Sequence, residues 1–403
     1  MDFGLSDEHA ALAATARAFV DRHCPPALAK EWDETGTFPE HLIKAMAEMG
    51  WFALAFPGDG DGDGGEGGGP AELAIIAEQL GRSSLDVAMC FIGTLIPALT
   101  IYQWGSRAQR AAVAAAADTG TGRYAVALSE PDTGSDAAAL RCAATDMGDH
   151  YVLNGRKMWC TGAGLPRTTI MMFVRTGKGA RKHDGISLLL VDPDSPGVGL
   201  RQVPTLARHI LGTYEVTLDG VTVPKDALVG EAGDGWKVML SSLELERVLM
   251  SGGYVGAAQA TLDEALEYSK QRTAFGRPVG TFQALAHAMA DLQTEIDAAR
   301  LLAHRAAWLL AAGRPVACEG AMAKLKGSET YVAAARLGMQ IMAGHGFSTD
   351  TVMSYRWRES IVAPISGGTS QIQRNAIARS MGLRTYLGAP CPTPSSAHQS
   401  APR

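Results

Sequence analysis

The periodicity of the chain changes twice, near residues 123 and 234, and one layer of one kind of element cannot accommodate that. Residues 5–122 carry helical spacing, with Leu12, Ala16, Phe19 and Val20 on one face of a first helix. Ser6 is placed to cap it, and Asp7 and Glu8 stand at its positive end. Further helices are expected over about 39–50, 70–81 and 85–104. Short apolar runs then take over at 124–128, 151–153, 157–160, 169–175, 185–192 and 214–223, separated by Gly- and Pro-rich turns. Asn154-Gly155 between two of these runs reads as a hairpin turn. From Asp234 the spacing is helical again, over about 235–271, 280–312, 315–343, 350–359 and 369–386. Gly252, Gly253 and Gly256 weaken an isolated helix, so a close helix–helix approach is expected there. The fold class expected is α+β and multidomain. It comprises an N-terminal helical domain (1–122), a middle antiparallel β-barrel or sandwich (123–233) and a C-terminal antiparallel four-helix-type bundle (234–388). Residues 389–403, rich in Pro, Ser and Ala, are expected to be disordered.

So many elements need a large core, and 403 residues with 46% hydrophobic and 19% charged side chains can supply one. A formal net charge of −6 argues against a nucleic-acid-binding role. The six cysteines are scattered, without a CxxC pair or a His at ligand spacing, so free thiols in a reducing cytoplasm and no metal site are expected. Met1 to Leu5 form neither a basic nor an apolar leader, so no secretory signal is expected. No apolar stretch reads as long and charge-free enough to span a bilayer. Residues 57–69 contain a formal GxGxxG at Gly60, Gly62 and Gly65, but three aspartates there repel a pyrophosphate and no strand precedes them. Asp59, Asp61 and Asp63 alternate as calcium ligands do, yet Glu66 comes too early to close such a site. A flexible polar loop fits the composition better.

Two stretches of the β region carry chemistry. In Ala127 to Asp136, Pro131 interrupts regular structure and Gly134 permits a tight turn. Ser129, Thr133 and Ser135 add hydroxyls, and such a turn suits the ring edge and phosphates of a nucleotide cofactor, although a plain surface turn has the same composition. Met158 to Gly162 is the second stretch. Together they resemble the flavin-binding segments of the acyl-CoA dehydrogenase family, which run near TEPxAGSD and WITN. Cys160 and Gly162 stand where that pattern has Ile and Asn. The resemblance covers about residues 3–385. It implies one non-covalent FAD per chain, held by Val126, Leu128, Ser129, Thr133, Gly134, Ser135, Trp159, Cys160 and Thr161. Arg272 and Phe275, then Phe282 and Gln283, resemble the RxxFG segment and the Gln that follows it. Gln340, Ile341, Ala343 and Gly344 resemble QxxGGxG, with Ala343 in place of its first glycine, and Thr369 and Gln371 resemble GTSxIQR. In the family the Arg and Phe of RxxFG, the Gln that follows and the QxxGGxG segment contact a flavin bound mainly by a neighbouring subunit. Thr369 is also a sound helix cap in its own right.

The reaction this resemblance implies is α,β-dehydrogenation of an acyl thioester. A carboxylate removes a proton from Cα while a hydride passes from Cβ to the flavin. Many members carry that base as a Glu just before the GTS motif, where this chain has Gly367. Helical geometry offers a substitute: Met239, Leu243, Glu246, Met250 and Gly253 share one face, and Glu246 is its sole charge. Glu244 faces the other way, next to Arg247. A carboxylate in an apolar stripe has a raised pKa unless it is paired, which suits a base for a weak carbon acid. A Glu satisfied by a buried Arg or Ser is the plainer alternative. Isovaleryl-type and some long-chain members carry their base on this helix in Leu-Glu-Arg, as here at 245–247, and tend to accept branched or bulky acyl groups. The Gly367 N–H is then expected at the thioester carbonyl, and Ser135, Glu244, Arg247 and Gly368 near the substrate. Coenzyme A or an acyl carrier protein is the expected carrier, and an electron-transferring flavoprotein or oxygen the acceptor. The expected assembly is a homotetramer, a dimer of dimers, in the cytoplasm. A flavin oxidase, including one acting on nitroalkanes, and a non-catalytic subunit remain open.

Overall fold

The computed structural model describes residues 4–56 and 68–383. The GxGxxG and calcium-like spacing and the tail beyond 388 therefore lie outside the described residues. The chain begins with α1 (Asp7–His23), whose cap Ser6 accepts a hydrogen bond from the His9 N–H at 3.2 Å. It continues through α2 (Pro26–Thr35), α3 (Glu40–Glu48), α4 (Pro70–Ser83), α5 (Leu85–Trp104) and α6 (Arg107–Thr119). The apolar spacing did not single out α2 and α6. Local chemistry starts them: α2 has proline at its first position, and Ser106 and Gln109 form a capping box on α6. The expectation that no segment could span a bilayer needs correction for α5, which is long and apolar enough to do so. Its side chains are spent on the core instead: Val87, Phe91, Leu95 and Ile101 are at most 1% exposed.

The middle region is one sheet of eight strands: β1 (Arg123–Ala127), β2 (Ala143–Asp146), β3 (His150–Thr161), β4 (Thr168–Arg175), β5 (Ile186–Val191), β6 (Val198–Gln202), β7 (Thr213–Pro224) and β8 (Leu228–Val229). They run in the order β6-β7-β3-β2-β4-β5-β8, with β1 alongside β4. Pairing is mostly antiparallel, but β1 and β2 lie parallel to β4. No hairpin forms at Asn154-Gly155; β3 runs straight through it. Gly155 adopts φ +143° at a register shift, where an added Cβ would lie 2.9 Å from Cys142, and the Asn154 side chain accepts the Gly220 N–H at 2.9 Å. Glycine inside a strand marks a bulge as readily as a turn, and here close approach of the neighbouring strand decides.

The C-terminal region holds α7 (Gly235–Gln271), a two-stranded ribbon of β9 (Thr273–Ala274) and β10 (Arg277–Pro278), α8 (Gln283–Ala311), α9 (Ala317–Met342), α10 (Gly344–Phe347), α11 (Val352–Ser360) and α12 (Ser370–Ser380). The last helix stops six residues before the expected end, with Gly382 in the left-handed region at φ +84° just past it. The glycines of α7 do serve a close approach. A Cβ at Gly252 would sit 2.6 Å from the Ala74 carbonyl oxygen, and one at Gly256 would collide with that of Glu78. Thus α4 and α7 meet backbone to backbone, and one apolar core runs through both helical regions. The inward side chains of the sheet form a second core.

Candidate functional site

Beyond Ala127 the chain leaves β1 and runs beside β3, because the Met158 N–H donates to the Ser129 carbonyl at 2.9 Å. Glu130 and Thr133 exchange backbone hydrogen bonds of 2.9 and 3.1 Å, closing the turn around Pro131. A buried pair holds this loop. Lys157, wholly buried, donates to the Leu128 carbonyl at 3.1 Å and to Glu130 Oε1 at 2.9 Å. Glu130 also accepts the N–H groups of Arg141 and Cys142 at 2.7 and 2.8 Å. Burial alone would raise the Glu130 pKa, but Lys157 and the two amides together hold it below the ordinary carboxylate value. Neither residue was singled out from the sequence. The available signal was a lysine at an inward position of a strand, which must find a partner.

Next to Lys157 the β3–β7 register breaks, and Trp159 takes φ +63°, unusual for a side chain of this size. The break swings the indole outward, leaving it 57% exposed. Cys160 turns the other way into the sheet core, where burial pushes its thiol up to about 12, so only its backbone faces the rim. Thr161 is half-buried, while the Val126 side chain, Gly134 and Ser135 are exposed. The Thr133 hydroxyl is buried with no hydrogen-bond partner among the described residues. An outward indole, an orphaned hydroxyl and an open turn fit a flat heteroaromatic ring with a polar edge, as a flavin has.

The second cluster forms where α7 meets the turn between α11 and α12. Gly367 and Gly368 adopt φ +62° and +85°. A Cβ at Gly367 would lie 3.4 Å from Glu246 Oε1 and 2.8 Å from Met250 Sδ, so the two residues expected to act on substrate converge. Glu246 is half-buried and accepts no hydrogen bond among the described residues. Burial raises its pKa against the opposing pull of Arg247 and Lys324. Arg247 was expected to side with Glu244, yet Glu246 acts on it more strongly, and its Nε is buried without a partner among the described residues. Glu244 is half-buried. Gln373 donates to the carbonyls of Gly367 and Gly368 at 3.1 and 3.0 Å. Lys324, also absent from the sequence reading, is wholly buried and donates to the carbonyls of Ala363 and Gly368 at 3.0 and 2.9 Å. Burial lowers its pKa to about 8. Thr369 caps α12, accepting the Ile372 N–H at 3.3 Å.

The remaining candidates gather elsewhere. An open groove of about 600 Å³ is lined by Tyr268, Gln271, Arg272, Val279 and the segment 341–345. Gln283, Gln340 and Gln371 are exposed, and Phe275, 95% exposed, meets the Phe282 ring edge-on at 6.1 Å. The groove shares no residue with the Trp159 rim. Ala343 adopts φ +49° and ψ −129°, a conformation that suits the glycine whose place it takes.

Three family models match the chain: "Acyl-CoA dehydrogenase, N-terminal domain" over residues 6–120, the middle domain over 125–221 and the C-terminal domain over 233–382. The probable acyl-CoA dehydrogenase YngJ of Bacillus subtilis is 34% identical over 384 residues, spanning 94% of this chain and 100% of the relative. Among solved structures, the glutaryl-CoA complex of a glutaryl-coenzyme A dehydrogenase superimposes with a TM-score of 0.88 at 31% identity, covering 95% of this chain and 98% of that one. The FAD complex of PigA does so with a TM-score of 0.87 at 25% identity, covering 96% and 100%.

Proposed function

The chain belongs to the acyl-CoA dehydrogenase family, and from that premise we propose that Glu246 is the base that takes the Cα proton of its acyl thioester substrate. The protein is an FAD-dependent oxidoreductase acting on CH–CH groups. The observation that carries the assignment of the base is the 3.4 Å between Glu246 Oε1 and the Cβ that Gly367 lacks. Its carboxylate occupies the space that a side chain at residue 367 would enter. The same carboxyl is desolvated enough to have a raised pKa and accepts no hydrogen bond that would occupy its lone pairs.

When bound, FAD would supply the acceptor for the hydride that leaves Cβ. Val126, Leu128, Ser129, Thr133 to Ser135, Trp159 and Thr161, with the Cys160 backbone, would hold the ring end. Arg272, Phe275, Phe282, Gln283 and Gln340 to Gly344 would contact a neighbouring subunit's flavin, and Thr369 and Gln371 would contact the cofactor as well. The separateness of the groove from the rim supports that division, as does the forked guanidinium of Arg272, which matches phosphate oxygens. Glu246 takes the proton. The Gly367 N–H, which has no acceptor among the described residues, donates to the thioester carbonyl as negative charge develops there. Arg247 and Lys324 oppose the effect of burial and favour the ionised form of the Glu246 carboxyl, the form that can take a proton. Ser135, Glu244, Arg247 and Gly368 would line the substrate path. Branched or bulky acyl groups on coenzyme A, which family members with their base on this helix tend to accept, are the proposed substrates, with an electron-transferring flavoprotein as the acceptor of a homotetramer.

The test compares Glu246→Gln with Glu244→Gln by anaerobic flavin bleaching with an acyl-CoA panel. Glu246→Gln is expected to retain FAD and substrate binding and lose flavin reduction by about 10²–10⁴-fold. Glu244→Gln should reduce flavin near the parental rate. The reverse pattern, or a fully active Glu246→Gln, overturns the assignment.

A further inference from the structure

We infer that Lys324 is the positioning residue of this site: its ammonium ties the turn bearing Gly367 to α9 and holds a positive charge behind Glu246 without touching it. The inference rests on the reading of Glu246 as the base. Lys324 lies on α9, wholly buried, and its two hydrogen bonds reach the carbonyls of Ala363 and Gly368, which bracket the turn on either side of Gly367. Each of those carbonyls has a second neutral donor, the Tyr254 hydroxyl for Ala363 and Gln373 for Gly368. A neutral donor can thus serve either carbonyl, and using a buried cation instead is costly unless its charge has a further use.

The charge needs its own explanation. The charged groups facing Lys324 are Glu246, Arg247 and Glu329, with the Tyr254 ring 6.0 Å from its Nζ. Glu329 is engaged at the surface by Arg374 at 2.8 Å, and Arg247 repels. Glu246 is therefore the anion that the buried ammonium serves. The charged groups facing Glu246 are Arg247 on its own helix and Lys324 on the neighbouring one, and neither forms a contact ion pair with it. Distance is the useful part of this arrangement. A contact pair would occupy a carboxylate lone pair and hold the oxygen away from substrate. A cation held back by two carbonyls favours the ionised carboxylate and leaves the lone pairs free. Lys324 loses its own proton at about 8, so this influence fades in alkaline solution.

Two variants separate the roles: Lys324→Met removes donors and charge, while Lys324→Gln keeps N–H donors for the carbonyls and removes only the charge. On FAD-loaded protein, the limiting rate of anaerobic flavin reduction is measured against pH. The Glu246 carboxyl is titrated independently by infrared difference between each protein and its Glu246→Gln counterpart. Lys324→Met is expected to slow reduction about 10²-fold through a misplaced turn, and to move both the acid limb and the carboxyl titration to higher pH. Lys324→Gln should recover much of the rate and none of the titration shift. Parental titration in both variants overturns the inference, even if both are slow, because a purely structural lysine would produce that result. Should Lys324→Met fail to fold, Lys324→Gln alone decides: a shifted titration supports the inference, an unshifted one overturns it. A fully active Glu246→Gln in the Lys324 background of the parent removes the base assignment itself, a failure distinct from unshifted titration in an enzyme that needs Glu246.

Discussion

Gly367 and Ala343 are single residues whose backbone angles carry opposite consequences. At Gly367, φ +62° combines with a space already claimed by Met250 and Glu246. Gly367→Ala is therefore expected to cost about 1–3 kcal/mol of stability and to slow flavin reduction, read by thermal denaturation and anaerobic bleaching together. Ala343 holds a conformation at φ +49° that glycine adopts without strain. Ala343→Gly should raise the melting temperature, by an amount equivalent to about 1 kcal/mol or more, and a lowered melting temperature would count against strain at this position. Glu246 makes a third case, with a sign that can be worked out. Its folded pKa is raised by burial, so the folded state binds its proton more tightly than the unfolded chain does. Stability from this group is full below the unfolded pKa and is lost as pH rises through the folded one. Glu246→Gln should thus stabilise the protein at neutral pH, and the gain in melting temperature should shrink as the pH falls from the raised folded pKa towards the ordinary carboxylate pKa and vanish below it. Glu246 could be picked out from the sequence as a candidate because one charge stood alone on an apolar stripe. Lys324, Lys157 and Glu130 could not, because their partners are backbone groups or residues far away in the chain.

At the scale of elements, periodicity located long helices well and strands less well. Residues 235–271 carried enough turns for their limits to be read off the chain, and the observed helix is Gly235–Gln271. Ala143–Asp146 and Val198–Gln202 are too short and too polar to stand out, and their identity as strands comes from the longer neighbours they pair with. Asn154-Gly155 misled for a related reason: the dipeptide signals a reversal only when the flanking runs pair with each other, and here both pair with β7. The α4–α7 contact was legible through its glycines, and it yields a sharp test. At Gly256 an added methyl group would collide with the Glu78 carbonyl of the opposing helix, which cannot rotate away as a side chain can. Gly256→Ala should destabilise the fold by about 2–3 kcal/mol, measured by chemical denaturation. The same change at Gly93 on α5, where no atom lies within 4 Å, should be neutral or mildly stabilising.

Across the whole molecule, the three regions are joined by buried charges that no local pattern announces. Asp33 on α2 accepts the His209 N–H at 3.2 Å and Arg358 Nη2 from α11 at 2.9 Å. Glu359 accepts the Leu85 and Asp86 amides at the start of α5, and Asp86 lies 3.4 Å from Arg208. Helices from both ends of the chain and the loop after β6 thus share one network. Asp33→Ala, which leaves Arg358 and the His209 amide without their acceptor, should cost about 3 kcal/mol and be felt in all three regions at once, as one lowered transition in calorimetry. The glycine contact along α7 has a mechanical consequence as well. From Val248 to Ala258 the helix is buried without interruption and locked against α4, while most of its first twelve residues are only partly covered. Glu246 sits two positions before the locked stretch. In deuterated solvent, amides beyond residue 250 should exchange only when the whole protein unfolds, and those of 238–246 through smaller, cheaper fluctuations. The proposed base would thus ride on the compliant tip of a shaft clamped along its middle, free to yield to acyl chains of different girth while the clamped stretch stays in place.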